Sequence, residues 1–348
     1  MSGGVDSSVA ALLIKKKGYE VICVFMKNWS DTKDIKGECS WKEDRKMAMK
    51  IAAKLEIPLI TLDFEKEYRR DVVDEMFKNY KKGITPNPDI DCNQKIKFPL
   101  LWKAAKKLNA DYVVTGHYSK IKNNKLYRAR DESKDQSYFL YRLNQNDLKH
   151  SMFPIGEYTK KQVREIARKN KFPNFDRKGT VGICFIGKIN LKKFLQKKIK
   201  PKKGKILDPE GNLIGEHDGI YYYTIGQRIG PRFGIEIDKG KTMKRWYVAR
   251  KDLKKNEITA APESHIMNLR REIFLKKSHW IDKEPNPGKY NARIRQVGEL
   301  LPCKLSYNKS KKQHKIIINK AITGVSEGQA IVLYKGKKVL GGGVIGFN

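Results

Sequence analysis

In this 348-residue chain, three stretches combine residue types that could do chemistry. The first is the N-terminal run Met1-Ser2-Gly3-Gly4-Val5-Asp6-Ser7-Ser8-Val9. Gly3 and Gly4 lack the Cβ that keeps a backbone away from a phosphate. Ser7 and Ser8 open an apolar helical pattern, whose orphan N–H groups and positive dipole end favour an anion. Asp6 adds a carboxylate able to hold Mg²⁺ against that phosphate. The second stretch, Thr85-Pro86-Asn87-Pro88-Asp89-Ile90-Asp91-Cys92-Asn93, sets a carboxylate, Asp89, three residues before the thiol of Cys92. A thiol attacks as its thiolate, and the nearby Lys95 and Lys97 favour that form. Asp89 can act as general acid or base beside it. The third stretch is Gly182-Ile183-Cys184-Phe185-Ile186-Gly187, a second thiol flanked by glycines. Singly, each cysteine reads as a small core residue. Beside a phosphate-binding loop, the pair points to sulfur chemistry, one thiol carrying a persulfide and the other resolving it as a disulfide.

The elements around these stretches follow from hydrophobic period. Val9, Leu12 and Leu13 mark one face of a helix that Gly18 stops. Val21 to Met26 is a continuous apolar run, as in a strand buried on both faces of a parallel sheet. A second helix runs through Met47, Ile51, Ala52 and Leu55, followed by a strand from Pro58 to Phe64. A third helix places Tyr68, Val72, Met76 and Tyr80 on one face and ends at Gly83. The two prolines make 85–93 an extended loop. A strand at Tyr112 to Thr115 follows, then a helix near Thr159, where Thr159 and Gln162 form a capping box. Strand and helix alternate, so residues 1–190 read as a doubly wound parallel-sheet α/β domain with its ligand at the carboxyl ends of the strands. Residues 192–205 are strongly basic and broken by Pro201 and Gly204, either a solvated linker or one that also touches phosphates. Beyond them, short β-type runs with turn signals such as Pro209-Glu210-Gly211-Asn212 predict small β domains over 191–265 and 266–348.

Lysine and arginine number 74 against 38 acidic residues, a net charge of +36, which implies a polyanionic partner, nucleic acid before membrane. No apolar run approaches the roughly 20 residues of a membrane span and no signal-peptide pattern opens the chain, so the expected location is the cytoplasm. Five cysteines, at 23, 39, 92, 184 and 303, form no CxxC pair and no zinc spacing with the six histidines.

The N-terminal block resembles the pyrophosphate loop of ATP pyrophosphatases. Taken with FMKNW at 25–29, TPNPDIDCNQKIKF at 85–98, TGHYS at 115–119, KDQSYFLYRL at 134–143, FPIGEYTK at 153–160, GICFIG at 182–187, YTIGQRIG at 223–230 and LGGGVI at 340–345, the chain is similar to the tRNA-specific 2-thiouridylase family. That resemblance implies an adenylation domain, a small central β-rich domain and a C-terminal β-barrel. It implies ATP, with Mg²⁺, held by Ser2, Gly3, Gly4, Val5, Asp6 and Ser7, by Met26 and by Gly116. The substrate would be the wobble uridine of tRNA, its C2 oxygen adenylated and then displaced by sulfur. Cys184 would carry the persulfide, Cys92 would be the nucleophile that closes a disulfide with it, and Asp89 would handle protons. Asn87, Pro88 and Asp89 would meet the target base, splayed out of its stack. Further tRNA contacts would fall at His117, Lys134, Asp135, Gln136, Arg293, Ile294 and Gln329. A sulfur-relay protein or cysteine desulfurase would supply the persulfide.

Three departures from the family pattern stand out. Lys178-Gly179-Thr180-Val181 lacks the acid that members carry before the second cysteine. Pro99 follows the IKF block where a helix is expected, which predicts a late start or a kink. The short apolar strand that precedes the loop in the family does not precede Met1, and the expectation is a gene product starting several residues upstream. The competing readings are a catalytically impaired tRNA-binding relative, or another RNA-modifying pyrophosphatase making lysidine or 4-thiouridine.

Overall fold

The first helix starts where the glycines end. Gly4 caps it in an extended conformation (φ −81°, ψ 152°) with no side chain on the helix N–H groups, and α1 runs Val5–Lys16. Gly18 then turns the chain at φ +84°. The computed structural model describes residues 1–30, 40–177, 179, 190–230, 245–296, 298–310 and 312–347. Cys184 and the rest of its glycine-flanked stretch lie outside the described residues.

β1 (Cys23–Lys27) lies parallel to β2 (Leu59–Asp63), joined by α2 (Ser40–Lys54). Cys23 faces the cluster formed by Val5, Val9 and Leu12 of α1 with Ile51 of α2, whereas Met26 packs on a second cluster that contains Cys92 and Ile96. Helices therefore cover both faces of β1, the mark of a doubly wound α/β layer. The predicted third helix is α3 (Glu65–Tyr68), a wider π turn (Arg69–Asp74) and α4 (Glu75–Lys81), with Tyr68, Val72, Met76 and Tyr80 all buried.

The cysteine stretch corrects the sequence expectation. Asn87 accepts a hydrogen bond from the Ile90 amide (3.3 Å) and caps α5 (Pro88–Asp91), so Pro88 begins a helix instead of extending a loop. A proline suits the first helical position, where its missing N–H has no intrahelical partner. The helix continues through a π turn (Cys92–Lys97) into α6 (Phe98–Lys107), across Pro99. The wider turn just before Pro99 accommodates the absent donor and the ring, so the helix neither starts late nor stops there.

β3 (Val113–Val114) pairs in parallel with β6 (Ser151–Met152). Between them, β4 (Ser119–Lys122) and β5 (Lys125–Arg128) form a hairpin turning at Asn123 and Asn124, both at positive φ. This hairpin leaves the α/β layer. After α7 (Gln145–Lys149), α8 (Lys160–Lys169) carries the predicted capping box of Thr159 and Gln162. α9 (Leu191–Gln196) then leads into a five-stranded sheet in the order β8 (Leu213–His217), β7 (Gly204–Leu207), β11 (Glu257–Pro262), β10 (Trp246–Asp252), β9 (Arg228–Ile229). Within the basic stretch Lys192 pairs with Asp218 and Lys198 with Asp74, while Lys193, Lys200, Lys202, Lys203 and Lys205 stay exposed.

The last domain is a closed six-stranded barrel in the order β12 (Arg270–Trp280), β15 (Gln313–Ile322), β14 (Leu301–Asn308), β13 (Gly288–Arg293), β16 (Ala330–Lys335), β17 (Lys338–Gly346), with β17 returning to β12. The glycines of the LGGGVI motif let these strands approach: a Cβ on Gly342 would sit 2.1 Å from the Ile331 carbonyl oxygen. β5 adds to the edge of β17, Tyr127 opposite Lys338, so one sheet runs from the first domain into the barrel.

Candidate active site

The N-terminal loop is built to receive an anion and is braced from behind. Gly3 sits at φ +76°, and a Cβ there would lie 2.4 Å from the Asp44 carbonyl oxygen. Ser7 and Ser8 donate to the Gly4 carbonyl at 3.0 Å each, and the Ser2 and Ser7 hydroxyls lie 3.1 Å apart. From outside the loop, Asn174 donates to the Gly3 carbonyl (2.9 Å) and to Ser8 (3.1 Å), and Arg177 donates to that same carbonyl (3.3 Å). Gly116 passes so close that a Cβ would come within 2.7 Å of the Ser7 amide nitrogen. The uncapped first turn of α1 leaves its N–H groups and dipole for phosphate oxygens.

Asp6 does not stand alone. Its Oδ1 accepts from the Tyr118 hydroxyl (2.9 Å) and from Lys160 Nζ (2.6 Å). No group of three His, Cys, Asp or Glu side chains that could hold a metal occurs among the described residues. Asp6, the residue expected to hold Mg²⁺ against the phosphate, is thus a single carboxylate already compensated by an ammonium. Sequence reasoning missed Tyr118, Lys160, Asn174 and Arg177. The signals for Lys160 were its place at the end of the FPIGEYTK block and at the first position of a capped helix.

On the cysteine helix, Asp89 and Cys92 are three residues apart and so share a face. Asp89 is half-buried and Cys92 fully buried, against the cluster that Met26 touches. Asp91, next to the thiol, pairs with Arg142 (2.8 Å), which also reaches Gln94 (3.2 Å). Asn93 donates to the Phe139 carbonyl (3.2 Å). Arg142 and Phe139 both belong to the KDQSYFLYRL block, whose role the sequence left open beyond RNA contact.

The residues expected to meet RNA divide sharply. Lys134 is exposed, and Gln136 is half-buried, accepting from the Tyr118 amide (2.9 Å). Asp135 is 1 % exposed: it accepts from the Ala129 amide (3.0 Å), the Ser137 hydroxyl (2.9 Å) and Arg293 (2.8 Å), with Arg128 at 3.6 Å. Arg293 is 3 % exposed and Ile294 belongs to the barrel core. In the free protein Asp135, Arg293 and Ile294 form a buried junction between the first domain and the barrel. His117 is also buried, with Nδ1 2.8 Å from the Thr115 hydroxyl and Nε2 3.4 Å from Lys97 Nζ. Burial first, then the Lys97 charge, push its pKa well below the ordinary histidine range, so the ring is neutral. Gln329, half-buried, donates to the carbonyls of Thr85 (2.9 Å) and Pro86 (3.0 Å).

Fold and site together define an α/β domain with a phosphate-binding loop and a helix-borne thiol, attached to a central β domain and a barrel. Residues 1–188 match the family model described as tRNA methyl transferase HUP domain, 192–262 that of the tRNA methyl transferase PRC-barrel domain, and 270–345 an aminomethyltransferase β-barrel domain. A tRNA-specific 2-thiouridylase MnmA of Ruthia magnifica is 42% identical over 352 residues, spanning 100% of this chain and 96% of the relative. The protein of the same name from Lactobacillus helveticus is 42% identical (99% of this chain, 93% of the relative), and that from Enterococcus faecalis 39% (99% and 93%). The chain belongs to the tRNA-specific 2-thiouridylase family.

Proposed function

We propose that the protein is a tRNA 2-thiouridylase: it adenylates the C2 oxygen of the wobble uridine with ATP and replaces that oxygen with sulfur. Two names attach to its relatives, methyl transfer in the family models and thiolation in the full-length proteins. The observation that favours thiolation is how the chain around Cys184 is tied at both ends. Arg177, seven residues before it, holds the Gly3 carbonyl of the phosphate loop. Phe194, ten residues after it, packs in the cluster that holds Cys92. Both flanks of the second thiol are therefore fastened to the two parts of the site that sulfur transfer must bring together.

In this reading the loop and the start of α1 bind the pyrophosphate portion of ATP, with Met26 and Gly116 beside the nucleotide. Mg²⁺ bound with the ATP phosphates would supply charge neutralisation there, with Asp6 as the loop carboxylate that would help to hold it. The C2 oxygen of uridine attacks the α-phosphorus and pyrophosphate leaves. The terminal sulfur of a persulfide on Cys184 attacks C2, and AMP departs with the original oxygen. Cys92, as thiolate, attacks the Cys184 sulfur bound to the transferred atom, which closes a disulfide and releases that atom to the product. Asp89 moves the protons. Asn87, Pro88 and Asp89 at the helix start face the base, and Lys134 with the exposed lysines of 193–205 carries tRNA phosphates. The persulfide comes from a donor protein, a relay carrier or a desulfurase.

The test supplies full-length protein with ATP, Mg²⁺, a sulfide donor and unmodified tRNA, and weighs the digested nucleosides. Appearance of 2-thiouridine is expected; its absence from folded, tRNA-binding protein would favour a binding-only relative. Cys184→Ser should abolish transfer from a persulfide donor while adenylation, read by pyrophosphate exchange, continues. Loss of exchange in that variant would contradict this division of labour.

A further inference from the structure

The chain entering the cysteine helix is gripped by residues from both other domains. Gln329 of the barrel donates to two successive carbonyls, Thr85 at 2.9 Å and Pro86 at 3.0 Å. The Thr85 amide donates to the Glu327 carbonyl at 3.3 Å. Gly328, at φ +89°, presses so close that a Cβ would lie 2.2 Å from Ile84 Cγ2 and 2.8 Å from the Thr85 carbonyl oxygen. From the central domain, the Thr224 hydroxyl meets the Thr85 hydroxyl at 2.9 Å. The two gripping domains also touch each other here, where a Cβ on Gly226 would sit 2.5 Å from Gly324 Cα. On the other side of the helix start, Tyr138 donates to the Ala330 carbonyl (3.0 Å) and shares a hydrogen bond with Asn87.

What is gripped is stiff. Pro86 and Pro88 each fix φ near −65°, and each restricts the residue before it. A displacement of Thr85–Pro86 therefore passes along the backbone to Asn87, the cap, and on to Asp89 and Cys92 within the next two turns. A flexible lead-in would absorb it.

We propose that Gln329 is a positioning residue for the thiol. It fixes Thr85–Pro86 against the barrel, and through the Pro86-Asn87-Pro88 lead-in it sets where the helix aims Asp89 and Cys92. Thr224 does the same from the central domain, with one hydrogen bond in place of two. The inference rests on reading Cys92 as the residue that handles sulfur, but the clasp itself is measurable without tRNA, ATP or turnover.

The experiment is peptide-resolved alkylation of the native full-length protein with iodoacetamide, comparing wild type, Gln329→Leu and Thr224→Val. Cys23 and Cys303 serve as internal controls, since burial raises both thiol pKa values, that of Cys303 to about 12. In Gln329→Leu the alkylation rate of Cys92 should rise about tenfold with Cys23 and Cys303 unchanged, and Thr224→Val should move it the same way by less. At saturating tRNA, kcat for thiolation should fall by about 10- to 100-fold, the usual cost of misplacing a reacting group by an ångström. The Kd for tRNA should stay within about twofold, because no phosphate contact is lost. An unchanged Cys92 rate, or a raised Kd for tRNA with kcat intact, would make Gln329 an RNA contact only and overturn the proposal. So would a rise at all three cysteines together, which is general loosening. If wild-type protein makes no 2-thiouridine, the functional reading fails while the alkylation result still decides the clasp.

Discussion

Asp6 shows how a single side chain changes meaning once its neighbours are known. A carboxylate at the mouth of a phosphate loop would repel the very ligand the loop attracts, unless a cation stands beside it. Lys160 is that cation, 2.6 Å away and only 17 % exposed at its side chain. Its ammonium also lies 5.7 Å from the Tyr118 ring centroid, so it is held from two sides. Lys160→Met should leave Asp6 uncompensated beside incoming phosphate charge and lower the rate of pyrophosphate exchange on the order of 10²-fold, with tRNA affinity unchanged. Exchange at the wild-type rate would remove Lys160 from the nucleotide site. His117 makes a prediction of the opposite kind, about pH. Its folded pKa is lowered, so the unfolded chain binds a proton near pH 6.5 and the folded one only further down. Its contribution to stability is therefore full above about pH 6.5 and is lost as pH falls below that, at up to about 1.4 kcal/mol per pH unit. Urea unfolding between pH 7.5 and 5 should show this slope in the wild type and a shallower one in His117→Gln.

At the scale of elements, the cysteine helix is where the sequence was most and least legible. Asp89 and Cys92 were singled out by residue type and spacing, and on the helix three residues apart is one face. The helix itself was hidden by Pro86, Pro88 and Pro99, read by local rules as an extended loop and as a late start or a kink. Those rules were met in another way: Asn87 caps, Pro88 takes the first position and a π turn precedes Pro99. By contrast α1 was legible from its apolar period and the Gly18 stop, α2 from its period and α8 from its capping box. The β4–β5 hairpin was not, since its partner strand lies some two hundred residues further along and pairing at that distance leaves no local pattern. The buried role of Asp135 and Arg293 was invisible for the same reason, each charge looking like a surface residue until the other is placed beside it. The cap offers a direct check. Asn87→Ala should cost about 1 kcal/mol in urea unfolding, the ordinary worth of an N-cap, and a null result would mean that Pro88 alone starts the helix.

For the whole molecule, the three domains are less separable than their boundaries suggest. β5 extends the barrel's sheet, Gln329 and Thr224 hold the cysteine helix, and Asp135 draws Arg293 into the first domain. The last of these is a buried ion pair, and such pairs are costly to break one side at a time. Arg293→Met should destabilise the protein by about 3 kcal/mol, because it removes the closer of the two guanidinium groups beside the buried Asp135 carboxylate, Arg128 standing at 3.6 Å. Combining it with Asp135→Asn should restore much of that loss, and denaturant curves of the two single variants and the double variant measure it. If the single and double variants unfold alike, the pair contributes nothing to the joint.

The same pair has a consequence for how the chain is made. Asp135 and Arg293 are 158 residues apart. At ordinary translation rates the ribosome needs roughly 10–30 s to travel that distance. For that interval the first domain holds its central carboxylate with Arg128 at 3.6 Å but without the closer Arg293, and its β5 edge stays open. The N-terminal domain should therefore emerge as a client for chaperones and complete its folding only when the barrel arrives. In this protein a domain synthesised later supplies the final part of the first.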